Sequence, residues 1–103
     1  MATHAGKDAA DLELTRRLVT ACLRDESVQI WLFGSRAWGG ADRSSDIDVG
    51  ILPFKSLRPG RLVDLQEKLD DSAVLPRVEI FDLTRVDAAL RERVLQKGIA
   101  WQI

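Results

Sequence analysis

Residues 46–52, DIDVGIL, alternate strictly: Asp46, Asp48 and Gly50 fall on one parity, Ile47, Val49 and Ile51 on the other. A strand sorts such a pattern, because successive side chains point to opposite faces. The aliphatic set then faces a core. The two acids project together from the other face, roughly 6.5 Å apart along the backbone. Two ionised carboxylates about 6 Å apart repel by about 3 kcal/mol at an effective dielectric of 20. A fold gains nothing from that repulsion unless a cation sits between the groups. Mg²⁺ is a hard ion that prefers carboxylate oxygens, with substrate phosphates completing its shell. By itself the pair reads more readily as a solvated edge strand with two harmless acids.

The upstream sequence adds a second half to the pattern. Val28–Phe33 is apolar and β-rich, which predicts a buried strand. Gly34-Ser35 breaks it, and a short helical piece is expected to follow. Glycine allows close backbone approach, and the N–H groups of such a turn form an anion nest. Ser35 adds a hydroxyl donor and Arg36 a planar cation suited to phosphate. A phosphate cradle beside a carboxylate pair makes a site for phosphoryl or nucleotidyl transfer.

Gly34-Ser35, ten intervening residues and Asp46-Ile47-Asp48 closely resemble the G-S-x10-D-x-D signature of DNA polymerase β-like nucleotidyltransferases. The fuller string GSRAWG…SDIDV, on so short a chain, resembles the minimal nucleotidyltransferase (MNT) subfamily. The resemblance implies a nucleotidyltransferase fold like the polymerase β palm: an α/β (α+β) domain, with a small mixed sheet and helices packed on it. It also implies a carboxylate on a third strand. That strand is expected at Arg77–Leu83, where Glu79 and Phe81 share one face and Val78, Ile80 and Asp82 the other. Glu79 takes the family's position, one methylene longer than the usual aspartate. Asp82 is the alternative if the register differs.

Asp46, Asp48 and Glu79 are thus the expected metal-binding and catalytic residues, and Gly34, Ser35 and Arg36 the nucleotide-binding ones. By resemblance the chain would use one or two Mg²⁺ ions to transfer AMP from ATP. MNT proteins pair with small helical HEPN-domain toxins, and described cases adenylylate a tyrosine of the toxin. The expected role is therefore an antitoxin with a HEPN partner, in a homo- or hetero-oligomer. A catalytically weak chain that neutralises its partner by binding alone is the alternative, and Glu79 is its motive. A third reading is half of an aminoglycoside-type transferase with its acceptor domain elsewhere.

Composition sets the frame. At 103 residues the chain is one domain, 1–103, with a single modest core and residues 1–7 expected to fray. Fifteen basic and sixteen acidic residues leave a net charge of −1, which offers no general attraction to nucleic acid. No apolar run reaches membrane-spanning length, and the N-terminus lacks a signal-peptide core. One cysteine, Cys22, excludes an intrachain disulfide and fits a reducing cytoplasm. The sole histidine, His4, has no nearby partner, so a Ser-His-Asp mechanism finds no base.

The other elements follow from periodicity. A helix capped by Asp8 or Asp11 should run to about Arg24 and bury Leu14, Leu18, Ala21 and Cys22. A second should run from Pro59 to about residue 71 on Leu62, Leu65 and Leu69. A third, from Arg85 to Lys97, should start on a capping box of Thr84 and Asp87 and bury Val86, Ala89, Leu90 and Val94. Its Arg91, Arg93 and Lys97 read as a solvated basic face. Gly98 should stop it. Residues 99–103 are either an added strand or a tail for a partner. Trp38 is either a lid on the core or a surface for a base or partner. Lys55 and Arg58 are loop residues with some reach toward a triphosphate. Asp42 and Arg43 read as solvent-facing.

Overall fold

The computed structural model describes residues 2–40 and 45–102, with the side chains of 2–8 left aside. Asp42 and Arg43 lie outside the described residues. The order is α1 (Ala2–Cys22), β1 (Val28–Phe33), α2 (Ser35–Trp38), β2 (Ile47–Pro53), α3 (Arg61–Asp70), β3 (Val78–Asp82), α4 (Ala88–Lys97) and β4 (Ile99–Trp101). The strands form one mixed sheet in the order β3-β2-β1-β4. β1 pairs antiparallel with both β2 and β4, while β2 and β3 run parallel, joined through α3. The C-terminal residues 99–101 are therefore an added strand.

Strand alternation divides the sheet into two unequal faces. Ile30, Leu32, Ile47, Val49, Ile51 and Val78 form the main core with Val19 of α1, Leu23 just after it, and Leu65 and Leu69 of α3. Each such aliphatic side chain contributes about 1.5–3 kcal/mol by leaving water. The other face carries a smaller cluster, Phe33, Leu83 and Val94, flanked by Trp31, Trp38, Leu52, Phe81, Val86 and Leu90. Gly50 belongs to this second face, and Leu83 lies directly on it: a Cβ there would stand 3.0 Å from the leucine methyls. Asp48 and Glu79 share this face, beyond the edge of the smaller cluster.

Several expectations shift. α1 is continuous from Ala2, through the stretch expected to fray and past both predicted caps. Its deepest ridge is Asp11, Thr15 and Val19, continued by Leu23 in the turn after it, while Leu14, Leu18 and Cys22 are half-buried and Ala21 is exposed. α3 starts at Arg61 after a left-handed Gly60, leaving Pro59 outside. α4 starts at Ala88, not Arg85, and its Ala89 is exposed. The cap is Asp87, whose carboxylate accepts from Leu90 N at 2.8 Å, and Thr84 is occupied by Asp82 instead. Asp87→Ala should therefore cost about 1 kcal/mol, read as a lower urea midpoint, while Thr84→Val should leave the helix unchanged. Gly98 ends α4 as expected, with φ −73°. Glycine suits it because a Cβ would stand 2.6 Å from the Val94 carbonyl oxygen and 3.1 Å from that of Leu32. Among the described residues no helix is long and apolar enough to cross a membrane.

Candidate active site

Three strands meet at one end of the second face. β1 ends there at Phe33, β2 begins at Ile47 just after Asp46, and β3 begins at Val78. Phe33 is the register partner of Asp48, and Asp48 of Glu79. One carboxylate oxygen from each of Asp46, Asp48 and Glu79 lies within 4.8 Å of the others. Asp46 is exposed; Asp48 and Glu79 are half-buried. The parallel pairing of β2 with β3 is what brings Glu79 beside Asp48. Asp82 sits at the far end of β3, opposite Ile51. Its carboxylate accepts from the Thr84 backbone N–H at 2.9 Å and hydroxyl at 2.6 Å and faces Arg85 at 3.6 Å. Asp82, the last residue of β3, is engaged with the turn that follows it, and Glu79 is the acid that joins the pair.

The electrostatics carry the cost of this crowding. Burial raises the Asp48 carboxyl above the usual aspartate range, and the charges of Asp46 and Glu79 raise it further. Three hard oxygen donors with a surplus of negative charge are the donor set a divalent cation takes. The residues present therefore fit a magnesium site.

Gly34 closes the other wall. Its φ of 78° and ψ of −159° lie in a region almost restricted to glycine. A Cβ at this position would collide with Asp48 Oδ2. The backbone of the turn is thus in contact range of the carboxylate, and any side chain would prevent it. Ser35 opens α2, and the Gly34 carbonyl accepts from Ala37 N at 3.0 Å and Trp38 N at 2.9 Å. Arg36 donates from its guanidinium to the Ser45 carbonyl at 2.8 Å. That bond ties α2 to the residue preceding Asp46, so Arg36 braces the loop between the two halves of the site.

Other candidates are placed elsewhere. Lys55 and Arg58 follow the C-terminal end of β2, which pairs with the start of β1 at Val28. That end is about 16 Å of strand from Phe33. Arg58 meets Asp25 at 3.1 Å, and Arg61 meets Glu26 at 3.1 Å. Trp38 covers the second cluster, packed on Phe33 at 6.0 Å between ring centroids. Arg93 is exposed, as expected from sequence, and its guanidinium carbon also lies 4.3 Å from the Trp38 ring centroid. Nothing local in the sequence signals that contact.

Residues 19–100 match the family model for "Polymerase beta, Nucleotidyltransferase". The chain belongs to the polymerase β nucleotidyltransferase family, and within it is MNT-like. A chain of a toxin–antitoxin crystal structure with AMP-PNP is 30% identical, with a TM-score of 0.66 over 84% of this chain and 72% of that one. A chain from the complex of a tri-AMPylated Shewanella oneidensis HEPN toxin with an MNT antitoxin is 27% identical, with a TM-score of 0.61 over 87% and 71%. A structure assigned as a minimal nucleotidyltransferase is 28% identical, with a TM-score of 0.68 over 85% and 90%. No curated protein matches the chain.

Proposed function

We propose that this protein is a magnesium-dependent adenylyltransferase that modifies a hydroxyl of a HEPN-type toxin, a tyrosine by resemblance, and acts as its antitoxin. The observation that carries the reading is the convergence of Asp46, Asp48 and Glu79 against the Gly34 turn. Family membership and the AMPylated HEPN complex among the neighbours support the reaction class.

In this reading Asp46, Asp48 and Glu79 hold one or two magnesium ions. When bound, magnesium supplies charge neutralisation for the triphosphate and lowers the pKa of an acceptor hydroxyl. Gly34 and Ser35 hold the β- and γ-phosphates through backbone N–H groups and the serine hydroxyl. Arg36 keeps the loop closed around them. The acceptor oxygen bonds to the α-phosphorus, the α–β phosphoanhydride breaks, pyrophosphate leaves and the hydroxyl proton is released. The half-buried setting of Asp48 and Glu79 strengthens their hold on a cation relative to open water.

The test is intact-mass analysis of the HEPN protein after incubation with this chain, ATP and Mg²⁺. Gain of one or more adenylates, lost with EDTA, is the expected result. An unmodified HEPN protein, still neutralised by both wild type and Asp48→Ala, would replace transfer with simple binding.

A further inference from the structure

The Arg93–Trp38 contact joins the site loop to α4. Trp38 has two partners: the Arg93 guanidinium at 4.3 Å and the Phe33 ring at 6.0 Å, tilted by 47°. Phe33 in turn meets Phe81 edge-on at 5.1 Å. The stack therefore links α4, α2, β1 and β3.

Gly34 lies between its members. Phe33 precedes Gly34 in the chain and pairs with Asp48 in register. The Trp38 backbone N–H donates to the Gly34 carbonyl. The ring contacts that hold Phe33 and Trp38 thus fix Gly34 from both sides. Outside support is needed here, because α2 has four residues and a single helical turn does not hold itself in water. Gly39 and Gly40 follow directly and contribute no side chains. From α4, the Arg93 side chain lies on the ring face.

We infer that Arg93 is a positioning residue: by clamping Trp38 it holds the Gly34–Ser35 turn in the conformation that receives nucleotide phosphates beside Asp48. The phosphate part of this inference rests on the function proposed above. A cation–π contact at a solvent-accessible site corresponds to about a two- to fivefold change in a local equilibrium.

The experiment uses the full chain and two readouts. The first is amide hydrogen exchange by NMR on metal-free protein. Arg93→Ala should speed exchange at the Ala37 and Trp38 amides by about two- to fivefold while the β1–β2 ladder is unchanged. Arg93→Lys, which keeps a cation over the ring, should recover most of the protection. The second readout is affinity for Mg²⁺ with an ATP analogue carrying a methylene between the α- and β-phosphates. Arg93→Ala should weaken it by a similar factor, and in turnover KM for ATP should rise more than kcat falls. Unchanged exchange at Ala37 and Trp38, or unchanged affinity, overturns the clamp. Wild-type protein that binds no analogue overturns the proposed function and the phosphate role with it. The exchange rates need no nucleotide, so they separate that failure from failure of the clamp.

Discussion

Asp48→Asn should lower adenylyl transfer by about 10³-fold while making the metal-free protein more stable. The two effects have one cause. Asp48 is half-buried between Phe33 and Glu79 and faces two like charges. Burial, then Asp46, then Glu79 raise its carboxyl above the ordinary aspartate range. The folded protein thus holds this proton more tightly than the unfolded chain does. The favourable contribution is complete below the unfolded value and is lost as pH rises through the raised folded value. At neutral pH the ionised group opposes folding. Asparagine keeps the shape and removes the charge. After solvent screening the gain should be roughly 0.5 kcal/mol, or about 2–4 °C in Tm for a domain of this size. The wild-type minus variant difference should vanish at low pH and grow through the Asp48 titration. On the proposed function Mg²⁺ should reverse the ranking, by binding the ionised trio of the folded state and stabilising it by mass action. Calorimetry with EDTA and with Mg²⁺, across pH, measures each part. A variant less stable than wild type in EDTA would refute the repulsion, and transfer above about a tenth of wild type would refute the role.

Local patterns in the chain read correctly because local physics decided them. β1 was legible to the residue because an apolar run ended by Gly34 has few other options. The parity of Asp46, Asp48 and Glu79 followed from period two, although only the β2–β3 register could show that Glu79 stands opposite Asp48. The misses involve polar groups with more than one partner available. Thr15 is fully buried because its hydroxyl donates to the Asp11 carbonyl at 2.7 Å, which lets a polar residue occupy the ridge assigned to Leu14 and Leu18. Thr84 and Asp87 both suit a cap, and Asp82 decides between them by occupying the Thr84 hydroxyl. Arg93 was invisible as a contact, since 55 positions separate it from Trp38.

Gly34→Ala should damage both fold and site, and Gly39→Ala separates the two kinds of damage. Gly34 sits at φ 78° and ψ −159°, where a non-glycine residue costs of order 1–3 kcal/mol. The added methyl also meets Asp48 Oδ2, so the turn and the carboxylate cannot keep their present positions together. For about 2 kcal/mol the Tm should fall by roughly 8–16 °C. Displacement of Asp48 by about 1 Å should reduce transfer by about 10²-fold. Gly39, at φ 102° and ψ 164°, carries a comparable backbone preference, but a Cβ there meets nothing within 4 Å. Its alanine variant should lose stability on a similar scale and keep most of its transfer activity below its own Tm. Thermal melts and adenylate incorporation on both variants, each assayed well below its melting range, give the comparison. Equal activity losses in the two would mean that backbone conformation alone matters. A selective loss in Gly34→Ala ties activity to the contact between the turn and Asp48, where the proposed phosphate side and metal side of the site meet.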